Sequence, residues 1–225
     1  MSKASELFTA EEREAIVRAV SSAESRTAAE IIPAVTSSSG RYDRAEDVFG
    51  FIFALLVLVA GWLVLSDARP SEDWTGVSVP PFGLFSVIVT LLVGFAVGAA
   101  LATRFPVLRL PFITTREMRD EVERAAGEAF FRLRLRKTAG RTGILIYVSV
   151  YERMVRVVGD DAIAEKLTQS DWDAVRDLVI EGLRDERPGE GLVAAIERCG
   201  DLCAAHFPPL PDDEDELPNE LRILD

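Results

Sequence analysis

FGFIFALLVLVAGWLVL, residues 49–65, and GLFSVIVTLLVGFAVGAAL, residues 83–101, contain no charged side chain. Each is about as long as the 17 to 25 residues a helix needs to cross a bilayer. The competing reading, two core helices of a soluble body, asks a single domain to hide two uncharged segments of this length. Irregular backbone cannot face lipid, so the chain is expected to cross as one helix, turn in water through Ser66–Phe82 with Pro70, Pro80 and Pro81, and return. The result is a hairpin with both ends on one side.

Orientation follows from the basic residues flanking the spans. Arg41 and Arg44 precede the first, and Arg104, Arg109, Arg116 and Arg119 follow the second, against Arg69 alone in the connection. The expectation is a multi-pass protein of the cell membrane with its soluble part and both termini cytoplasmic. Trp62, Trp74 and Phe82 fall near the outer interface, where aromatic rings suit the headgroup region. Residues 1–30 lack an early uninterrupted apolar core and read as an amphipathic helix rather than a signal peptide, so the first span directs insertion.

Outside the spans the chain is acidic, with a formal net charge of -12. This disfavours nucleic acid, which needs clustered Lys and Arg, and suits divalent cations or basic partners. Two cysteines, Cys199 and Cys203, make no disulfide framework. Their spacing puts both on one apolar helical face as buried thiols.

Thr9 and Glu12 form a capping-box pattern, followed by Ile16, Val20 and Ala23 at helical spacing, which predicts a helix over 10–25. Residues 29–36 read as a strand in which Pro33 requires an edge or a bulge. In the second span Gly94, Gly98 and Ala102 form a row of small residues, open to self-association or to packing on the first span. Thr114 and Glu117 cap a helix predicted to run to Lys137, with Met118, Val122, Ala125, Ala129 and Leu133 inward and Arg132, Arg134 and Arg136 outward. Residues 143–150 and 154–158 read as two strands. The short link Tyr151–Arg153 makes them an antiparallel hairpin. Two helices follow, one capped by Ser170 with Asp173 and one starting near Gly189. Residues 210–225 read as an acidic tail, solvated over Asp212–Glu216.

No catalytic constellation stands out. His206 is the single histidine, and there is no glycine-rich phosphate loop. Asp171-Trp172-Asp173-Ala174-Val175 has the spacing of the dehalogenase-type phosphatase motif. It lacks the buried strand that motif must end, and reads instead as a helix N-terminus. The metal candidates are Glu30, at the start of the first strand, and Asp160 and Asp161, at the end of the hairpin. Carboxylates gathered in loops are what Ca²⁺ or Mg²⁺ require, although Asp residues also make turns and caps.

Residues Thr27-Ala28-Ala29-Glu30-Ile31-Ile32-Pro33 resemble the opening of the TPM domain, with Ala29 where that family has glycine. Arg141-Thr142-Gly143-Ile144-Leu145-Ile146-Tyr147-Val148-Ser149, then Glu152-Arg153 and Val155–Asp160, are similar to that domain's hairpin. Pro218-Asn219-Glu220-Leu221 resembles the ending of its membrane-bound bacterial members. The resemblance implies an α/β/α sandwich around a small mixed sheet, here with an inserted two-helix transmembrane hairpin. The parts are then 1–42 (N-terminal helix and first strand), 43–104 (hairpin), 105–209 (the rest of the α/β domain) and the tail.

The resemblance also implies divalent-cation binding, acid-phosphatase activity of the kind claimed for some plant members that act in thylakoid photosystem repair, and, for bacterial relatives, company with LemA-type membrane proteins. The function expected from residues and resemblance together is a cytoplasmic-face module that binds a protein partner or a divalent cation. The alternative is a metal-dependent acid-phosphatase-like hydrolase.

Overall fold

A computed structural model describes residues 3–66, 83–137, 140–209 and 217–225. The connection with Arg69, Trp74 and its prolines, and the acidic run Asp212–Glu216, lie outside the described residues. In chain order the elements are α1 (Ala4–Leu7), α2 (Ala10–Glu24), β1 (Glu30–Thr36), α3 (Asp43–Ser66), α4 (Leu84–Arg104), α5 (Thr115–Arg132), β2 (Gly143–Ser149), β3 (Met154–Gly159), α6 (Asp161–Ala164), α7 (Gln169–Arg184), α8 (Pro188–Ala204) and β4 (Arg222–Ile223). Short 3-10 segments lie at Pro106–Phe112 and Leu135–Lys137. The chain divides into two units, one formed by Met1–Gly40 with Arg116–Asp225 and one by Arg41–Thr115.

In the first unit a mixed sheet of order β3-β2-β1-β4 carries helices on both faces. β2 is antiparallel to β3 and parallel to β1, a pairing that needs a long crossover, and the inserted unit and α5 lie within it. Alternation along the strands sorts the core. Ile31, Val35, Ile144, Ile146 and Val148 pack with α2, α7 and α8, whereas Ile32, Ala34, Leu145 and Tyr147 pack with Val122, Ala126, Ala129 and Phe130 of α5.

Pro33 obeys the edge rule in a specific way. The Glu30 N–H donates to Thr142 O and the Thr36 carbonyl accepts from Val150 N–H, so even-numbered residues of β1 bond towards β2. Odd-numbered residues face the other way. The Ile31 N–H donates to the Glu24 carboxylate at 2.9 Å, and the Val35 carbonyl accepts from Leu224 N–H at 2.9 Å. β4 pairs only with Ala34 and Val35, so Pro33 lacks its N–H on the open stretch of that edge.

The Thr9–Glu12 capping box is present, with each side chain bonded to the other residue's backbone N–H. Three expectations need correction. The helix predicted to reach Lys137 stops at Arg132, because Arg134 takes a left-handed backbone (φ 62°) and Leu135 turns inward to full burial. The cap of α7 sits earlier than Ser170, at Thr168, whose N–H and hydroxyl donate to the Asp171 carboxylate at 2.9 and 2.6 Å. The end of the chain is not all tail. Arg222–Ile223 adds the fourth strand, Leu217 and Leu224 pack on the α5-side core, and the Thr36 hydroxyl donates to Leu224 O at 3.0 Å.

Cys199 and Cys203 are buried in α8. Burial pushes both thiols up, Cys203 to about 12, and the neighbouring thiol adds to the effect at Cys199. Thiolate is the reactive form. Native protein should therefore resist iodoacetamide for a period in which urea-unfolded protein gains two carbamidomethyl groups by mass spectrometry.

In the second unit α3 and α4 run antiparallel, and both are long and apolar enough to cross a membrane. A Cβ added at Gly94 would lie 2.9 Å from Ala54 Cα, and one at Gly98 would lie 2.9 Å from Gly50 Cα. The small-residue row of α4 is thus covered by α3 of the same chain. α3 contributes small residues of its own at Gly50 and Ala54, which the sequence reading missed. At one end of the pair the Glu46 carboxylate accepts from Thr103 and Arg109.

Candidate functional site

The two ends of the sheet in the first unit each gather polar groups. At the C-terminal ends of β1 and β2, the loop Ser37–Gly40 closes over Glu152 of the β2–β3 turn. Glu152 is 5% exposed. Its Oε1 accepts from the Ser39 and Gly40 N–H groups at 3.0 and 3.2 Å and from the Ser38 hydroxyl at 3.2 Å, while Oε2 accepts from the Ser149 hydroxyl. The Ser39 hydroxyl bonds in turn to Ser149 Oγ at 2.7 Å and Tyr147 OH at 3.1 Å.

This chain of hydroxyls borders a cavity of about 230 Å³, also lined by Thr36 and by Glu128 and Arg132 of α5. Burial, partly offset by the Ser39 hydrogen bond, raises the Tyr147 phenol above its usual range. The hydroxyl donor is thus retained at neutral pH. Glu152's acceptor capacity is taken up by the loop, so the network fixes Ser39 and Tyr147 in place rather than forming a nucleophile and base. Sequence reading singled out Glu152 only as part of a family pattern. Its available signal was an acid in an apolar hairpin opposite three serines and a glycine, all hydrogen-bond donors.

The opposite end holds the predicted metal candidates. Glu30 pairs with Gly143, and Asp160 N–H donates to Gly143 O, so three strands place Glu30, Gly143 and Asp160 side by side. Strand alternation points both acids towards the α5 side. Leu135 fills the space above the glycine, where an added Cβ would come within 2.8 Å of its carbonyl oxygen. Asp160 and Asp161 line a cavity of about 270 Å³ with Arg136 and Arg141, and Glu30 is not on its wall.

Asp160 is 3% exposed and caps α6, its Oδ1 accepting Asp161 N–H at 2.8 Å. Its Oδ2 is buried with no hydrogen-bond partner. Arg136 lies 3.9 Å from each of the two carboxylates. Among the described residues, no three His, Cys, Asp or Glu side chains come together as a metal site would require.

Asp171 and Asp173 open α7, not the end of a strand, as the helix-terminus reading expected. Hydrogen bonds from the Thr168 hydroxyl and N–H hold the Asp171 carboxyl below its usual range. His206 is exposed beyond α8, its ring edge-on to Phe207.

A three-layer α/β/α unit interrupted by two apolar helices defines the class of protein. Residues 108–202 match the family model of the TPM domain, from just before α5 through most of α8. Over those residues the chain is similar to the TPM domain, and the match takes in the hairpin from Arg141 to Asp160. The NMR structure of the BA42 protein from the psychrophilic bacterium Bizionia argentinensis is similar in fold. Its TM-score is 0.58 at 22% identity, covering 100% of both chains. None of the curated proteins compared matches the sequence.

Proposed function

We propose that this protein is a membrane-anchored TPM module whose α/β unit binds a protein partner at the cytoplasmic face. The observation that supports anchoring is the outward face of the helical pair. Leu56, Leu63 and Leu92 are 63, 64 and 66% exposed, and only 11% of each apolar window is buried. Leaving a large apolar side chain in water forgoes about 1.5–3 kcal/mol each, and a face of them needs lipid or protein to cover it.

The arginines flanking the helices support a cytoplasmic position for both termini. Partner binding is the reading left by a site rich in hydroxyls without a nucleophile–base pair, and a LemA-type membrane protein is the candidate that the family resemblance offers. Alkaline carbonate should leave the protein in the membrane pellet. Reporter fusions at Asp225 should be active in the cytoplasm, and fusions within 66–82 outside it. Extraction without detergent, or a periplasmic signal from Asp225, refutes the anchoring or the orientation respectively.

The second reading is a divalent cation, supported by the orphaned Oδ2 of Asp160. Asp160 and Asp161 would hold it, with Glu30 outside the cavity. Arg136 and Arg141 already balance the two carboxylates, so the donor set fits an ion only when Arg136 moves away. A bound cation would supply polarisation of a phosphoryl oxygen, the chemistry a phosphatase needs. If the ion binds, Ca²⁺ or Mg²⁺ at about ten times its Kd should add about 1.4 kcal/mol, raising Tm by roughly 3–6 °C. Asp160→Asn should abolish the shift. Turnover of a generic phosphate ester that disappears in the same variant would establish the hydrolase, and absence of any shift removes the ion.

A further inference from the structure

We propose that a groove between the β2–β3 hairpin and α7 docks an acidic, apolar peptide segment of a protein partner. The inference rests on the interaction reading above and gives it a surface and a partner chemistry. The groove has a volume of about 560 Å³. This is within the roughly 300–1,000 Å³ of ligand sites. Its apolar lining is Val148, Val150, Ile180 and Leu183, which carry the α7-side core out to solvent: Val148 is fully buried and the other three are half-buried. Among the described residues β3 is the outermost strand of the sheet, and the groove is lined from the end of β2, the turn after it and α7.

The charge on the groove selects the occupant. Arg153 and Arg184 line it, both exposed, and neither forms an ion pair among the described residues. Neighbouring arginines behave differently. Arg176 of α7 is paired with Asp173 at 2.6 Å and Asp177 at 2.8 Å, and Arg156 of β3 with Glu123 at 2.9 Å. The chain carries 37 acidic residues against 25 basic ones, yet among the described residues no carboxylate is paired with these two guanidiniums.

Arg153 also sits at φ 55°, a left-handed backbone region that favours glycine, so an arginine there is held at a cost to the fold. Two guanidinium forks that are unpaired among the described residues, beside an apolar floor, fit carboxylates that flank an aliphatic or aromatic residue, each fork donating paired hydrogen bonds to one carboxylate.

The test uses the full chain in lipid nanodiscs and a randomised peptide library displayed on phage. Selected peptides should carry Asp or Glu flanking Leu, Ile, Val or Phe. Their affinity, read by fluorescence anisotropy, should fall about tenfold in Arg153→Gly and in Arg184→Gln, and further at high salt. Arg153→Gly relaxes its turn, so an unchanged or raised Tm separates lost binding from lost fold.

Selection of basic or uncharged peptides, absence of enrichment, or indifference to both substitutions overturns the proposal. So does hexanoate binding as tightly as any peptide, which would make the groove a small-acid site. Photocrosslinkers at Ile180, Glu11 and Glu128 in native membranes separate the two levels of the argument. Crosslinks confined to Glu11 or Glu128 sink this groove and leave partner binding intact, whereas no protein crosslink at any position sinks both.

Discussion

Glu152→Ala is expected to destabilise the α/β unit by about 3 kcal/mol and to lower Tm by roughly 6–12 °C. The carboxylate is 5% exposed and accepts from two backbone N–H groups and two serine hydroxyls. Hydrogen bonds to a charged acceptor contribute about 1.5–3 kcal/mol, and donors left buried without it add a desolvation cost. The Ser39 and Gly40 N–H groups can recover water once the loop opens, which keeps the total well below the sum of four such bonds.

Glu152→Gln should also destabilise, because its amide would present an N–H₂ where a donor already points. Thermal unfolding by circular dichroism checks both variants, and amide exchange should accelerate at Ser39 and Gly40. A Tm within 2 °C of wild type in Glu152→Ala would show that the network contributes little.

Gly191→Leu should cost a similar amount through a different cause. α7 and α8 touch backbone to backbone. A Cβ at Gly191 would lie 2.7 Å from Gly182 Cα and 2.8 Å from Leu178 O, and one at Gly182 would lie 2.5 Å from Gly191 Cα. None of these atoms belongs to a side chain that can rotate away, so the helices must separate and uncover Val179 and Leu192. Overpacking of this kind costs about 1–3 kcal/mol, and more where backbone must move.

Gly127 on α5 supplies the opposite case. An added Cβ meets nothing within 4 Å, and the position is exposed in mid-helix. Gly127→Ala should stabilise by about 0.5–1 kcal/mol. If Gly191→Leu and Gly127→Ala shift the unfolding midpoint in the same direction, the close approach of the helices does not control stability.

Much of the fold was legible because its signals are local. The Thr9–Glu12 cap, the short link that forces β2 and β3 to be antiparallel, and the apolar runs of α3 and α4 each lie within a few residues of what they determine. Elements determined across the chain were harder to read. Two residues at Arg222–Ile223 carry no strand signal of their own, and the edge of β1 beside Ala34 and Val35 makes them one.

The site divides in the same way. Asp160 and Asp161, adjacent after the hairpin, line a common cavity. Glu30 is kept off its wall because Leu135, turned inward after a helix that ends early, sits over Gly143 between the two acids. Glu152 was hidden because its donors arrive from a loop more than a hundred residues away, joined by no spacing that a linear reading can detect.

The insertion point of the helical pair imposes a parity on the chain. β1 ends before α3 and β2 begins after α4, yet these two strands are immediate neighbours in register from Glu30 against Gly143 to Thr36 against Ser149. Any compartment boundary crossed on the way out must be recrossed before the sheet can close, whatever the balance of arginines in the connection. During synthesis β1 therefore waits without β2 while the pair of helices is made, and Gly143 must emerge before the centre of the fold can form.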